Sequence, residues 1–297
     1  MLYIILIFII IYLLIYIYKS NHKIKIISEQ VNQVLFEQKD IYIQNYQEGS
    51  LSILESEIVK LVNCLYEKNQ LLYEEKKLLK QSLEDISHQI KTPLTSLNLI
   101  QERLKKSNNK EKNQLIKEQQ YLLDKIEWLI SSLLKMAQID ANTVIFQKES
   151  INQKDFINQL IKPFEIQLEL KNIHLQIETE NQILKNIDKK WLEEALANIF
   201  KNCIEHTSYD GKISIIINKN PLYQEIIIED NGESISKEDL PHLFERFYKG
   251  KNATQHSVGI GLALSKMIIE KQNGTITVEN IYPGVRFTIH LYDNFVI

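Results

Sequence analysis

The hydrophobic pattern changes three times along the chain. Leu2 to Tyr18 carries no charge and is almost wholly Ile, Leu, Phe and Tyr. As a helix this run spans roughly 26 Å, at the short end for a bilayer core. A weaker helical pattern follows from about residue 24 to residue 48, with Val31, Val34 and Leu35 on its apolar face. Glu48-Gly49-Ser50 interrupts it. Ser50 or Ser52 is placed to cap a further helix, whose apolar set includes Leu51, Leu54, Ile58, Leu61, Val62 and Leu65.

Heptads come next. Leu83, Ile86, Ile90, Pro93, Leu97, Ile100 and Leu104 alternate in steps of three and four, a coiled-coil seam. A polar stretch at Ser107–Lys110 ends it. Leu115, Leu122, Ile126, Leu129, Leu133 and Met136 then continue a three-four seam on a second helix. Two amphipathic helices and a short loop predict an antiparallel hairpin. One hairpin has only a narrow stripe to bury, so two copies are expected to pair as a four-helix bundle in a homodimer, the alternative being that the hairpin packs on its own downstream domain.

After Asp140 the period changes again. β-rich runs at 173–179, 213–218, 223–230, 274–279 and 285–291 alternate with helical runs at 154–170, 190–206, 237–249 and 260–272. This predicts an α+β domain in which helices cover a sheet. At roughly 150 residues the domain is large enough to bury its own core.

Composition narrows the setting. The 297 residues carry a net charge of −3 with both signs interspersed, so nothing points to nucleic acid. Cys64 and Cys203 lack the spacing of a zinc site or redox pair and are read as packing residues. The apolar start lacks the basic lead-in and small-residue cleavage site of a signal peptide. Lys19, Lys23 and Lys25 follow it at once, which places the remainder on the cytoplasmic side. The expectation is a single-pass cell-membrane protein without an extracellular sensor domain of its own. Its parts are a transmembrane helix at 1–18, a helical linker or divergent signal-relay module at 19–69, the hairpin at 70–140 and the α+β domain at 141–297. The linker reads equally well as a plain coiled-coil spacer.

The chemistry begins at Asp85-Ile-Ser-His-Gln-Ile-Lys-Thr-Pro-Leu94. With Leu83 at heptad position a, His88 falls at f, farthest from the seam and presented to solvent or to another molecule. An imidazole of ordinary basicity is largely neutral and nucleophilic near pH 7. Pro93 lacks the N–H that would bond the Gln89 carbonyl, so a bend is expected beside His88.

Four further clusters suggest a nucleotide. Asn198 and Asn202, four apart, share a helix face, and neutral amide oxygens ligate Mg²⁺ beside phosphates. Ile226-Ile-Ile-Glu-Asp-Asn-Gly232 ends a buried-looking strand in a carboxylate that can accept from an exocyclic amine, with Gly232 permitting close approach of a base. Val258-Gly-Ile-Gly-Leu-Ala-Leu264 sets glycines at a helix start, where free N–H groups attract anions. Between these lies Leu240, Leu243, Phe244, Phe247 and Tyr248 with Arg246 and Lys249 interleaved, which with Gly250–Ser257 reads as a lid.

Together these motifs resemble a sensor histidine kinase of a two-component system. The likeness covers roughly residues 70 to 292 and keeps the family's order: phospho-acceptor box, asparagine box, first glycine box, aromatic box, second glycine box. By resemblance His88 accepts a phosphoryl group from ATP, and the hairpin is the dimerisation and phosphotransfer domain. The α+β domain resembles the ATP-binding sandwich shared with gyrase- and Hsp90-type ATPases. Asn202 is the implied Mg²⁺ ligand and Asn198 supports the phosphate region. Asp230 and Gly232 form the implied adenine site, and Gly259 and Gly261 the phosphate-side loop. Asn198 stands where the related ATPases carry a water-activating Glu. An amide takes no proton from water, which favours transfer over hydrolysis. The resemblance also implies a cognate response regulator as acceptor and phosphatase activity, with the Thr92 hydroxyl placing a water.

The chain departs from the pattern in several places. Gln89 follows His88 where the family usually has an acid that serves as base, so slow autophosphorylation is expected. Ser234 and Ser257 replace usual glycines, and Glu205 stands where some members have a basic phosphate contact, leaving Lys249 or Arg246 to supply that charge. A non-catalytic ATP-binding dimeric membrane scaffold is the alternative. By analogy with small kinases of this form, a membrane transporter or another membrane sensor is a candidate partner.

Overall fold

The computed structural model describes residues 2–37, 50–106, 109–179, 183–251 and 257–292. It divides into two units, 1–83 and 84–297.

In the first unit, helix α1 covers Leu2–Glu37, and helix α2, Ser50–Lys106, begins. All the side chains from Tyr3 to Tyr18 are exposed. Among the described residues no helix is long and apolar enough to cross a membrane. The break expected at Glu48-Gly49 lies outside the described residues. Cys64 is exposed on α2, so it does no packing in this chain. The packing role expected of it is not met within this chain, because spacing alone does not reveal burial.

The second unit contains the rest of α2 and helix α3, Asn109–Asp140. The helix is continuous through Pro93, which is buried. Ile100 of α2 and Leu115 of α3 are buried, whereas Leu129 and Met136 of α3 are buried in the core of the α+β domain and Leu83 of the expected seam is exposed. The connecting residues Ser107 and Asn108 lie outside the described residues.

The α+β domain follows. Its elements are β1 (Glu149–Asn152), α4 (Gln153–Ile161), α5 (Glu165–Leu170), β2 (His174–Thr179) and β3 (Ile183–Ile187). Then come α6 (Lys189–His206), β4 (Lys212–Lys219), β5 (Tyr223–Asp230), α7 (Gly261–Lys271), β6 (Gly274–Asn280) and β7 (Val285–Tyr292). Five strands form one sheet in the order β2-β4-β5-β7-β6. β2 runs parallel to β4, and every other pair is antiparallel. The register follows side-chain alternation. Ile226 and Ile228 of β5 point into the core with Ile215 and Ile217 of β4 and Phe287 and Ile289 of β7. The other face pairs polar groups: Arg286 forms ion pairs with Glu229 and Glu279, and His290 Nε2 lies 2.9 Å from Glu225 Oε1.

Helices α4, α6 and α7 cover the apolar face, where Leu192, Leu196, Ile199, Phe200, Leu264 and Ile268 are fully buried. Asp188 starts α6 by accepting from the Trp191 N–H at 3.2 Å, an N-cap. β1 and β3 form a separate antiparallel pair that the sequence pattern did not predict. The predicted run 154–170 is two helices, α4 and α5, separated by a 3-10 turn at Lys162–Phe164 that contains Pro163.

The helix expected over 237–249 does not form. Only Leu240–His242 makes a 3-10 turn. Asp239 takes over the local backbone instead. Its carboxylate accepts from the Tyr248 hydroxyl at 2.6 Å and from the Lys251 N–H at 3.1 Å. Phe247 has φ +64° and donates its N–H to the Gly259 carbonyl at 2.8 Å. Leu243, Phe244 and Phe247 still pack on the core, so the apolar spacing reports burial without a helix.

Candidate functional site

The site is a cavity of about 580 Å³ in the second unit. Asn198, Asn202, Asp230, Lys249, Gly259 and Gly261 all line it, although they are scattered over more than sixty positions of sequence. Four local devices bring them together.

The first is the end of α6. Lys171 donates through Nζ to the carbonyls of Ile204 at 2.7 Å, Glu205 at 3.1 Å and Thr207 at 2.9 Å. A cation on the last carbonyls suits both the hydrogen-bond deficit and the negative end of the helix. It holds the turn beyond Asn202. Asn198, one turn earlier, has a buried side-chain nitrogen that finds no partner among the described residues. An orphaned donor in a cavity wall calls for an acceptor from a ligand.

The second is the end of β5. Asp230 is buried, and burial pushes its carboxyl above the usual range. Its Oδ1 accepts the Gly232 N–H at 2.9 Å. Gly232 itself is not in the cavity wall. A Cβ there would sit 2.3 Å from the His206 carbonyl oxygen, so the missing side chain lets β5 pass the end of α6. The close approach expected there is to the protein backbone. Cys203 is buried beneath Asp230, and burial raises its thiol, with the carboxylate adding to the effect.

The third is the start of α7. Gly259 has φ +77°, and a Cβ would lie 2.3 Å from the Tyr248 carbonyl oxygen, so two independent constraints select glycine. Gly261 opens α7 beside Asn198, whose Oδ1 would be 3.5 Å from an added methyl. Ser265 ties the helices together, its hydroxyl meeting the Ala195 carbonyl at 2.8 Å and the Gly261 carbonyl at 3.0 Å.

The fourth is the aromatic segment. It brings Lys249 to the cavity but sends Arg246 elsewhere: Arg246 Nη2 binds both oxygens of Asp140 at 2.9 and 2.8 Å. Of the two cations considered for the phosphate charge, Lys249 is the one in place. Ser234, Ser257 and Glu205 line the cavity as well.

His88 is exposed on α2 and outside the cavity wall. Its neighbour Gln89 is half-buried, and Lys249 Nζ approaches Gln89 Oε1 at 3.5 Å. Helix α2 therefore touches the cavity rim. The Thr92 hydroxyl donates to the His88 carbonyl at 3.1 Å. Its lone pairs stay available as acceptors.

Sequence reasoning missed one part of the wall. Tyr121, Asp124, Lys125 and Trp128 of α3 line the same cavity. Their spacing follows the helical period and looks like a surface face. Nothing local signals that it is covered.

Known proteins resemble this chain in sequence and fold. Residues 187–294 match the family of histidine kinase-, DNA gyrase B- and HSP90-like ATPases. The heme sensor protein HssS of Staphylococcus saprophyticus is 30% identical over 210 residues, which is 70% of this chain and 45% of that protein. The chain thus spans about half the length of the curated relatives it matches. Among solved structures, the Acinetobacter baumannii histidine kinase AdeS superposes with TM-score 0.59 at 22% identity, over 70% of this chain and 98% of that one. The histidine kinase ThkA, solved in complex with the response regulator protein TrrA, reaches TM-score 0.61 at 22% identity, over 77% of this chain and 66% of that one. The two superpositions bear on the fold.

Proposed function

We propose that this relative of the sensor histidine kinases is itself an ATP-dependent protein-histidine kinase that phosphorylates His88 and passes the phosphoryl group to an Asp of a response regulator. The observation that carries this reading is the contact of Lys249 with Gln89. It joins a cavity built for a nucleotide to the residue beside an exposed imidazole.

Asp230 accepts from the exocyclic amine of adenine. Asn198 offers its orphaned amide N–H to phosphate oxygens. Asn198 and Asn202 line the cavity, and their amide oxygens together with the phosphates make up the donor set for a cation here. That donor set fits Mg²⁺, which prefers a few protein oxygens with phosphates and water. Asn202 is the residue that would hold it, and the ion would offset phosphate charge. In the transfer the unprotonated imidazole nitrogen attacks the γ-phosphorus, the bond to the β–γ bridging oxygen breaks, ADP leaves, and the proton on the other ring nitrogen passes to water. The protein's work is positioning and charge stabilisation. Gln89 accepts no proton, so the step is slow.

Two further parts of the reading rest on exposed apolar surface. Ile116, Leu123 and Ile130 recur every seven residues on α3 and stay exposed, as does Leu134. This stripe supports a four-helix bundle formed with a second copy. The exposed apolar side chains from Tyr3 to Tyr18 support insertion in a membrane, with the basic residues after them on the cytoplasmic side. Thr92 is proposed to place the water that hydrolyses the regulator's aspartyl phosphate.

The test is autophosphorylation of the full chain with labelled ATP and Mg²⁺ beside His88→Gln. Acid-labile, base-stable label that is absent from the variant is expected. ATP binding without label would instead favour a non-catalytic scaffold.

A further inference from the structure

We propose that Asp239, a carboxylate with no part in the transfer chemistry, is a positioning residue that fixes Lys249 against the phosphates of the bound nucleotide. The inference rests on the kinase reading above and names the group that sets one of its phosphate contacts.

Asp239 is buried, at 6% exposure, and borders the nucleotide cavity with Ser236, Tyr248, Lys249 and Gly250. Its own backbone is fixed by a turn. The Asp239 N–H donates to the carbonyl and to the hydroxyl of Ser236, both at 3.1 Å, and the Asp239 carbonyl accepts from the His242 N–H at 3.0 Å. The turn is anchored on the sheet just upstream. Asn280, the last residue of β6, accepts from the Ile235 N–H at 2.9 Å and donates to the Ile235 carbonyl at 2.7 Å. Asp239 therefore belongs to the frame of the domain.

The segment that carries Lys249 hangs from that frame. The residue before it, Tyr248, and the residue two after it, Lys251, both donate to the Asp239 carboxylate, at 2.6 and 3.1 Å. The Phe247 N–H meets the Gly259 carbonyl at 2.8 Å, which pins the same segment to the start of α7. At Gly250 an added Cβ would lie 3.2 Å from Asp239 Oδ2, so the backbone passes close to the carboxylate. Three ties within five residues hold the backbone of Lys249, whose side chain lines the cavity.

The ties are of the strong kind. The Lys251 ammonium pairs with Glu238, and Asp239 is met by a hydroxyl and a backbone N–H. These donors, the Tyr248 hydroxyl foremost, hold its carboxyl below the usual carboxylate range. Hydrogen bonds to an ionised acceptor are roughly twice as strong as neutral ones. Lysine places its charge at the end of a flexible four-carbon stem. Fixing the backbone beneath that stem removes part of the ordering entropy of a phosphate contact before the nucleotide arrives.

The test compares ATP and adenosine affinity by calorimetric titration of the full-length protein. Lys249→Met should weaken ATP about tenfold or more and leave adenosine unchanged, as loss of a charge-assisted phosphate contact. Asp239→Ala and Tyr248→Phe should each weaken ATP by about threefold up to that same limit, again sparing adenosine. Tyr248→Phe keeps the ring and removes one donor, so it decides the matter where Asp239→Ala fails to fold. The discriminating step repeats both changes in the Lys249→Met background. A residue that acts through Lys249 has nothing left to position there, and ATP affinity should fall no further. An equal loss of ATP and adenosine would reduce Asp239 to a structural role. A full further loss in the Lys249→Met background, or ATP affinity unchanged in any of the three single variants, would overturn the proposal. A wild-type chain that binds ATP but takes no label on His88 overturns the kinase reading, while these affinities still decide the role of Asp239.

Discussion

Replacing Asp230 by Asn separates the energetics of base recognition from those of folding. The two side chains are nearly isosteric. The Asn oxygen can keep the bond from the Gly232 N–H, now 2.9 Å long. The change falls on the other oxygen, which becomes an NH₂ group and meets the amine of adenine donor to donor. A hydrogen bond to a charged group is worth about 1.5–3 kcal/mol, so ATP affinity should fall about 10- to 150-fold. Stability should move the other way. Burial raises the Asp230 carboxyl above its ordinary value, so its ionised form is unfavourable in the empty fold. The protonated form contributes stability that is fully present below the unfolded pKa and lost as pH rises through the folded one. At pH 7 the wild-type carboxylate bears that cost and the Asn variant does not. A gain of about 1 kcal/mol raises Tm by about 2–4 °C in a domain of 150–250 residues, and the advantage should shrink as pH falls through the raised pKa. Calorimetric titration with ATP and thermal melts without it, on the full chain between pH 5 and 8, measure both effects. ATP affinity within about twofold of wild type would remove Asp230 from the base site. A variant melting well below wild type at pH 7 would refute the burial cost.

Three other changes test neighbouring parts of the argument. Gln89→Glu restores a base beside His88 and sets a carboxylate against Lys249. Autophosphorylation should rise, by up to about 10²–10⁴-fold, and an unchanged rate in a labelling time course would show that no base is missing. Thr92→Ala should keep autophosphorylation while losing hydrolysis of the phosphorylated regulator, and persistent phosphatase turnover counts against the Thr92 water. Gly259→Ala places a methyl 2.3 Å from the Tyr248 carbonyl at φ +77°. It should destabilise the domain by about 1–3 kcal/mol and weaken ATP, and a denaturant midpoint equal to wild type would contradict the strain.

Much of this molecule was legible because its signals are periodic or local. The heptads fall on long helices as their spacing predicts, with Ile100 and Leu115 buried. β5 occupies the predicted span, since a short apolar run, Ile226 to Ile228, ends at a carboxylate and Asn-Gly. Asn198 and Asn202 share a face by spacing alone, and the cavity includes both. The failures have physical causes. Leu240, Leu243, Phe244, Phe247 and Tyr248 have helical spacing, but Pro241 and the Asp239 carboxylate organise that segment as turns. β1 and β3 are four and five residues long and become strands only by pairing with each other. Lys125 looks like one more cation on a helix, because the domain that covers it arrives from another part of the chain. The exposure of Cys64 and the packing of Gly232 against His206 are likewise tertiary facts.

The docking of α3 on α7 sets the energy that any release of the α+β domain from the hairpin must meet. Met136 and Ile139 are 3% and 2% exposed, packed in the core of the ATP-binding domain. Around them sit polar ties, Arg246 to Asp140 and Lys135 to Glu194. Lifting that domain off the hairpin would return both apolar side chains to water at about 1.5–3 kcal/mol each, while the ties exchange protein partners for water at little cost. The undocked posture is then populated at roughly one part in 10²–10⁴. A stimulus that frees the domain must supply a similar energy through the helices, and one that supplies less only shifts the odds.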